Sequence, residues 1–276
     1  MIFYKEGNCK IGEEEIIVKK NIDVFMEDKK VVVNDNQNRM QTVLLDFQNA
    51  KNRIHFDETD FLNIIDNFYE IRKYTYAEIT LIDMIALISI FYNSCTSKEC
   101  TVLEVGSWGG ASSLCICKII GAINEKSKLI CMDTWKGTED TRSHHIANYE
   151  DMFLHFKSVM RYFGIYQMIT PIISDSRFGL KLLKDDSLDF IFVDAAHTYL
   201  GVKNDIEESL PKLKKGGIMV GHDCECYYDE LPSDSMNHNI DIEKGYHVGV
   251  IKALHELWGN EFNIVPGSKI WFKQIM

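Results

Sequence analysis

Residues 101–110 read TVLEVGSWGG, an apolar run that leads directly into a glycine-rich segment. This pattern predicts a buried β-strand, a tight turn and the beginning of a helix. Glycine lets the backbone approach a ligand closely and adopt positive φ, and the first turn of a helix offers unpaired amides. The stretch therefore predicts a loop that binds a nucleotide-like ligand.

An acidic residue narrows the choice of ligand. Glu104 precedes Gly106 and Gly110 in the spacing Glu-x-Gly-x-x-x-Gly. Dinucleotide enzymes instead carry Gly-x-Gly-x-x-Gly, with their acidic residue only after the loop. A carboxylate at this place suits a cofactor that bears a cationic sulfonium and an α-amino group better than it suits an anionic dinucleotide.

From residue 101 onward, strand-like and helix-like segments alternate. Short apolar runs predict parallel strands at 101–105, 128–133, 168–173, 188–194 and 217–220. Helices are predicted at 201–213 and at 248–258, the latter ended by Gly259. Two last strands, at 262–265 and 269–273, flank a Pro-Gly turn. We therefore expect a doubly wound, mostly parallel α/β sheet of seven strands that ends in an antiparallel hairpin.

The first 74 residues differ from the rest and are predicted to form a small α+β extension. Short β-type runs at 16–18, 23–26 and 31–33 predict a β-meander. A helix is predicted along 61–71, with Asp57 or Thr59 as its cap. The extension is expected to serve as a substrate lid or as the contact of a homo-oligomer, and the sequence does not choose between these roles.

The second domain is predicted to span residues 75–276. Its first helix is expected to begin at Thr75, because Thr75-Tyr76-Ala77-Glu78 fits the capping-box pattern, and to continue through Ile90.

Charge and composition limit the partners. The 276 residues include 30 basic and 41 acidic side chains, a net charge of −11, which disfavours a polynucleotide substrate. The most apolar window, 79–92, is too short to cross a bilayer, and no secretion signal is visible. The eight cysteines form no C-x-x-C pair, which favours reduced thiols over a zinc site. We expect a cytoplasmic protein that acts on a small molecule and binds neither nucleic acid nor membrane.

Polar residues follow the second and third predicted strands, at the sheet edge where α/β proteins bind ligands. Asp133 comes first, with Thr134 and Trp135 after it, and a carboxylate at this place can accept both hydroxyls of a ribose. Asp175 and Ser176 end the third strand, where the edge of an adenine would lie. Ordinary helix capping is the alternative for both aspartates.

The fourth and fifth strands are predicted to deliver a candidate metal site. Asp194 ends the fourth strand, and His222 and Asp223 follow the fifth. Oxygen ligands favour Mg²⁺, whereas the histidine favours Mn²⁺, Fe²⁺ or Zn²⁺. Alternatively, Asp194 only orients the substrate and His222 caps a loop.

Four motifs in a fixed order carry a family resemblance. They are LEVGSWGG at 103–110, MDTWKG at 132–137, FVDAAHTY at 192–199 and LKKGGIMVGHD at 213–223. Together they resemble the class I S-adenosylmethionine (SAM)-dependent methyltransferases, and more narrowly the macrocin-type sugar O-methyltransferases and the relatives of catechol O-methyltransferase. The resemblance covers residues 75–276 and implies a Rossmann-like fold with SAM as cofactor.

The resemblance also implies roles for single residues. The first motif would hold the methionine part of SAM, Asp133 the ribose and Asp175 the adenine. With the residues beside them, the predicted cofactor contacts are Glu104, Gly106, Ser107, Gly110, Asp133, Thr134, Trp135, Asp175, Ser176 and Asp194. Metal-dependent members place an acid after strand four and a polar pair after strand five, which corresponds here to Asp194, His222 and Asp223. The pair is His-Asp rather than the Asp-Asp, Asp-Asn or Glu-Asp of the family.

Methyl transfer to a hydroxyl requires a group that takes the proton. His197 is the leading candidate, although it could instead cap the following helix. Asp194 belongs to the same predicted centre, and His144 and His145 are reserves within the polar segment 137–148, a predicted lid. The chain lacks the Asn/Asp-Pro-Pro-aromatic motif that suits methylation of base amines.

We therefore expect O-methylation of a sugar or a natural-product type of small molecule. The alternatives are small-molecule N-methylation, a dinucleotide-dependent oxidoreductase and a non-catalytic cofactor-binding partner protein.

Overall fold

The computed structural model describes most of residues 67–276 and five short strands before them. The described residues are 10–11, 14–15, 22–27, 30–35, 40–43, 67–94, 99–138, 141–232, 245–265 and 267–276. The strands are β1 (Lys10–Ile11), β2 (Glu14–Glu15), β3 (Ile22–Glu27), β4 (Lys30–Asp35), β5 (Met40–Val43), β6 (Thr101–Val105), β7 (Lys128–Asp133), β8 (Ile169–Ile173), β9 (Leu188–Val193), β10 (Leu213–Gly221), β11 (Asn263–Ile264) and β12 (Trp271–Gln274). The helices are α1 (Phe68–Thr75), α2 (Leu81–Ser94), α3 (Ala111–Ile123), α4 (Arg142–Ala147), α5 (Met152–Tyr162), α6 (Ser176–Gly179), α7 (Tyr199–Ser209) and α8 (Val248–Trp258).

The main sheet confirms the predicted fold class. In the described part of the chain it has seven strands in the order β11-β12-β10-β9-β6-β7-β8. The five strands from β10 to β8 run parallel, whereas β12 is antiparallel to both β10 and β11. The chain therefore folds into a Rossmann-like α/β sheet that ends in an antiparallel hairpin, as predicted.

Strands covered on both faces explain why apolar runs predicted them well. The bounds of β6 and β7 equal the predicted ones, and in β6 all residues from Val102 to Val105 are buried. β10 is longer than predicted and begins at Leu213 rather than residue 217. Its register shifts between Leu213 and Ile218, so a bulge accommodates the Lys-Lys-Gly-Gly stretch.

The two faces of the sheet carry separate apolar clusters. One includes side chains of α2, α3 and α5, and there the rings of Phe91 and Phe190 stack with centroids 3.5 Å apart. The other includes side chains of α7 and α8. α8 begins and ends as predicted, and Gly259 ends it with φ +58°. Among the described helices, none is long and apolar enough to cross a membrane.

The predicted capping box at Thr75 is wrong. Thr75 ends α1, and its hydroxyl donates to the carbonyl of Ile71 at 2.7 Å. Tyr76 adopts φ +53°, which turns the chain out of the helix. The reciprocal cap lies one turn later, where the Thr80 amide donates to Asp83 Oδ2 and the Asp83 amide donates to Thr80 Oγ1, both at 3.2 Å. α2 therefore begins at Leu81, with Asp83 in its first turn.

The described strands before residue 67 include a meander. β3, β4 and β5 form an antiparallel sheet in that order, and β1 pairs with β2. The predicted runs at 23–26 and 31–33 lie within β3 and β4. The run at 16–18, the caps Asp57 and Thr59, and the first part of the helix predicted at 61–71 lie outside the described residues. The division at residue 74 stays a prediction.

Candidate active site

A cavity of about 710 Å³ opens at the carboxyl ends of the parallel strands. Residues that end or follow four of these strands line it, namely Gly106, Asp133, Asp194 and His222. Ligands of open α/β sheets bind at this edge, and the volume is typical of a small-molecule site.

Gly106 is the point of closest approach between two of these loops. Its φ is +93°, and a Cβ at this position would lie 2.1 Å from the carbonyl oxygen of Asp194. The Gly106 amide donates to the Met132 carbonyl at 2.8 Å. Gly110 also has positive φ, but a Cβ there would meet the side chain of Met160 at 2.4 Å. Gly106 therefore shapes the cavity, whereas Gly110 packs α3 against α5.

Glu104 is not among the described residues that line the cavity, and its contact with the cofactor stays a prediction. The Glu104 carboxylate is fully buried and accepts hydrogen bonds from the hydroxyl of Ser112 at 2.5 Å and from that of Ser113. Side chains alternate along a strand, and Glu104 falls on the face that α3 covers. Burial raises the pKa of this carboxyl. Glu104 thus supports the beginning of α3 beneath the glycine loop.

Asp133 fastens the glycine loop to the end of β7. Its Oδ2 accepts from the Trp108 amide at 2.7 Å, and its Oδ1 accepts from the Trp135 amide at 2.6 Å. Burial raises the pKa of Asp133. Each carboxylate oxygen has a second lone pair, so the predicted ribose contact stays a prediction.

The neighbours of Asp133 differ in their surroundings. Thr134 lines the cavity. Trp135 is buried, with its ring packed against Phe153 and Phe156, and its cofactor contact stays a prediction. Ser107, another predicted contact, is buried in the loop.

Asp175 caps a helix, which is the alternative role that its sequence position suggested. It accepts from the Arg177 amide at 3.0 Å at the beginning of α6, and both of its oxygens accept from the Arg177 guanidinium at 2.8 Å. The hydrogen bonds from Arg177 lower the pKa of Asp175. Asp175 also lines the cavity, so the adenine contact stays a prediction.

Ser176 contacts an acidic residue of the cavity that the sequence did not reveal. The Ser176 hydroxyl donates at 2.5 Å to Asp205, a buried residue of α7 that also lines the cavity. Burial raises the pKa of Asp205 to about 6. No motif marks Asp205 in the sequence.

The predicted metal ligands lie together. His222 Nδ1 is 3.4 Å from Asp194 Oδ1 and 3.3 Å from Asp223 Oδ1. The other ring nitrogen of His222, Nε2, lies 3.2 Å from Asp83 Oδ2. Asp83 belongs to the first turn of α2, and no motif in the sequence assigns it to this site.

A second group of side chains surrounds Asp223. His197 Nε2 lies 3.1 Å from Asp223 Oδ2, and His247 Nε2 lies 3.4 Å from Asp223 Oδ1. Behind them, Glu225 Oε1 contacts His247 Nδ1 at 2.6 Å and Lys269 Nζ at 3.3 Å. Sequence reasoning found His197 but missed His247, Glu225 and Lys269, which lie outside the four motifs or at their edge.

The charges around Asp223 depend on one another. Burial alone would raise the pKa of Asp223, but the surrounding histidines, led by His222, lower it well below its usual range. Burial alone would lower the pKa of His222, but Asp194 and Asp223 outweigh it and raise that pKa. Asp223 also has φ +64°, a strained conformation that is concentrated at functional sites.

The reserve bases His144 and His145 lie on α4. The residues of the predicted lid, 137–148, that line the cavity are Gly137, Thr138, Thr141, Arg142, Ser143 and Ile146. At the cavity mouth, Arg142 Nη1 lies 3.5 Å from Glu78 Oε1, and both side chains are exposed. The lid function of this segment stays a prediction.

Residues 103–224 match the family model described as a methyltransferase domain. An uncharacterized protein, y4gI of Sinorhizobium fredii, is 25% identical over 170 residues, which cover 58% of this chain and 17% of that protein. The chain therefore matches less than a fifth of the length of this curated relative.

Solved structures share the fold. A protein from Corynebacterium glutamicum superposes with a TM-score of 0.54 at 11% identity, over 80% of this chain and 98% of that one. TomG, an O-methyltransferase of Streptomyces achromogenes solved with SAM, gives 0.51 at 12% identity over 81% and 92%. A putative caffeoyl-CoA O-methyltransferase from Staphylococcus aureus gives 0.50 at 14% identity over 79% and 99%.

Proposed function

We propose that this chain is a class I SAM-dependent methyltransferase that transfers the methyl group to a hydroxyl of a small molecule, which the match of residues 103–224 to a methyltransferase domain and the Rossmann-like sheet support. The observation that carries the proposal is the position of His197, which contacts Asp223 of the Asp194–His222–Asp223 cluster inside the cavity. A base beside a candidate cation site is the arrangement that an O-methyl transfer needs.

The cavity has the chemistry that SAM requires. Gly106 has no side chain that would keep a ligand away from the backbone at the sheet edge. Asp133 and Asp194 line the cavity with carboxylates, whose negative charge suits a cationic cofactor. Asp133 would hold the ribose hydroxyls, and Asp175 with Ser176 would lie near the adenine. Bound in this way, SAM would supply an activated methyl group to an acceptor aligned in line with it.

The donor set of the predicted metal site fits a divalent cation. Asp194, His222 and Asp223 offer donor atoms that all lie within 4.8 Å of one another. Asp83 faces the outer nitrogen of His222 at 3.2 Å, as a carboxylate does behind a metal-bound histidine. A cation held there would lower the pKa of an acceptor hydroxyl that binds to it.

His197 would take the proton of the acceptor hydroxyl. When the imidazole gains that proton, Asp223 Oδ2, 3.1 Å from Nε2, stabilises the resulting charge. His197 is partly exposed to the cavity, so an acceptor can reach it. General-base catalysis of this kind contributes roughly 10²- to 10⁴-fold in rate.

Several acidic side chains line the cavity, including Glu78, Asp133, Asp175 and Asp194, against the basic Arg142 and Lys269. This lining favours an uncharged, hydroxyl-rich acceptor, such as a sugar or natural product, over an anionic one. The alternative is methyl transfer to the amine of a small molecule of similar size.

The test has two parts. Calorimetric titration with S-adenosylhomocysteine and with NADH should show binding of the first compound only. Incubation with labelled SAM and a library of hydroxylated and amino metabolites should then yield O-methyl products, and Asp194→Ala should abolish them. Products labelled only on nitrogen would overturn the proposed acceptor class, and binding without any transfer would favour a non-catalytic partner protein.

A further inference from the structure

We infer that His197, Asp223 and His247 form a binding site for a transition-metal cation of the zinc class. This set shares Asp223 with the predicted Asp194–His222–Asp223 site but replaces its other two ligands. The inference concerns cation binding, which does not depend on the proposed methyl transfer.

The spacing of the donor atoms fits a small cation. One histidine approaches each oxygen of Asp223, His197 Nε2 at 3.1 Å from Oδ2 and His247 Nε2 at 3.4 Å from Oδ1. Donor atoms that surround Zn²⁺ tetrahedrally at about 2.0–2.1 Å lie about 3.3 Å from each other. The two separations to the carboxylate are thus close to this value, and the donor atoms of all three residues lie within 4.8 Å of one another.

Glu225 sets the orientation of His247. Its Oε1 lies 2.6 Å from His247 Nδ1, and its Oε2 accepts from the His247 amide at 3.0 Å. When Nδ1–H donates to Glu225, Nε2 carries a lone pair directed at the Asp223 carboxylate. A proton or a metal cation between these two atoms, 3.4 Å apart, makes their contact attractive, and the lone pair of Nε2 is available to either. A carboxylate behind the outer nitrogen is the usual partner of a metal-bound histidine.

The ligand types of each set determine which metal ion it prefers. Mg²⁺ prefers oxygen ligands and retains water, whereas imidazole suits Zn²⁺ and its first-row neighbours. The Asp194–His222–Asp223 set offers two carboxylates and one imidazole, and the His197–Asp223–His247 set offers the reverse ratio. We therefore expect zinc-class ions to prefer the second set.

Occupation of the second set has a consequence that rests on the proposed function. It engages His197, the proposed base, and Asp223, which both sets share. Zn²⁺ should therefore inhibit methyl transfer by occupying these two side chains.

The binding test uses the full chain, reduced and stripped of metal, titrated with ZnCl₂ in a calorimeter and with CoCl₂ in a spectrophotometer. His247→Gln and Glu225→Gln should each weaken Zn²⁺ binding by about 10- to 100-fold. His255→Gln is the matched control, because His255 lies on α8 but stacks on Tyr228, away from Asp223. Its Zn²⁺ affinity should equal that of the wild type.

Two results would overturn the site. One is an unchanged Zn²⁺ affinity in both His247→Gln and Glu225→Gln. The other is a near-ultraviolet thiolate-to-Co²⁺ charge-transfer band in place of the visible bands of a nitrogen and oxygen site, because it would assign the ion to cysteine. Circular dichroism verifies that each variant folds, and Glu225→Gln keeps the test valid if His247→Gln does not fold.

The activity readout separates the two proposals. If the enzyme transfers methyl groups, the ratio of rates with and without Zn²⁺ should rise towards one in His247→Gln. If no acceptor is ever methylated, the proposed function fails while the Zn²⁺ affinities still decide the site. If transfer occurs and Zn²⁺ inhibits wild type and His247→Gln equally, the site fails alone.

Discussion

The carbonyl oxygen of Asp194 occupies the space that a side chain on Gly106 would need, since a Cβ there would come within 2.1 Å of it. The loop after β6 and the loop after β9 can therefore approach this closely only because residue 106 has no Cβ. Any residue larger than glycine at position 106 must push the two loops apart, and with them the two walls of the cavity.

Gly106→Ala should lower the free energy of unfolding and weaken cofactor binding together. We expect a loss of roughly 2 to 5 kcal/mol, from the left-handed backbone and from the clash. Gly164→Ala is the matched control, because Gly164 has φ +70° but nothing within 4 Å of its Cβ position. Urea denaturation of both variants separates the clash from the backbone term. Equal losses would show that the contact with Asp194 relaxes freely.

Glu104→Gln distinguishes support of the loop from contact with the cofactor. Because the Glu104 carboxylate binds Ser112 and Ser113, we expect the affinity for S-adenosylhomocysteine to fall by less than about 10-fold. Loss of a direct ion pair with an α-amino group would cost about 2 kcal/mol or more, which is about 30-fold. Calorimetry measures this difference, and a loss beyond about 30-fold would restore the direct contact.

Asp205 should make the stability of the fold depend on pH. Its pKa rises from the unfolded value of 3.8 to about 6 in the fold. Between these values the folded protein keeps a proton that the unfolded chain releases, so stability falls as pH rises through this window and stays lower above pH 6. Asp205→Asn should reduce the change in unfolding free energy between about pH 4 and about pH 7 by up to about 3 kcal/mol.

The control for this effect is Glu207→Gln, an exposed site on the same helix. Chemical denaturation at several pH values provides the curves. An identical pH dependence in wild type and Asp205→Asn would mean that the Asp205 carboxyl ionises in the fold as it does in the unfolded chain.

His197→Gln tests the assignment of the base. Methyl transfer should slow by roughly 10²- to 10⁴-fold in kcat, with a much smaller change in KM. His144→Gln should retain activity, because His144 is not among the described residues that line the cavity. A loss of stability without this kcat effect would favour the helix-capping role of His197, and a large kcat loss in His144→Gln would transfer the role of base to α4.

Local signals were sufficient where the local sequence determines the structure. The runs 101–105 and 128–133 became β6 and β7 without a shift, since a strand buried on both faces must be apolar throughout. Likewise, His222 and Asp223 follow one strand and Asp194 follows its neighbour, so parallel pairing alone brings them together.

Tertiary packing decided what the sequence left open. Two threonines, Thr75 and Thr80, are each followed three residues later by an acid, and both fit the capping pattern. Thr75 instead ends α1, and its carbonyl packs against Gly109, where a Cβ would lie 1.9 Å away. The orientation of Glu104 and the roles of His247 and Glu225 likewise depend on which elements cover them.

Asp83 is at once the capping partner of Thr80, an acceptor for the Lys269 amide at 2.7 Å and the neighbour of His222. The segment 103–224 matched by the family model includes neither Asp83 nor Lys269. A polypeptide trimmed to that segment would lose Asp83, the carboxylate that contacts His222. The smallest fragment able to preserve this pocket must therefore begin before α2 and extend to β12.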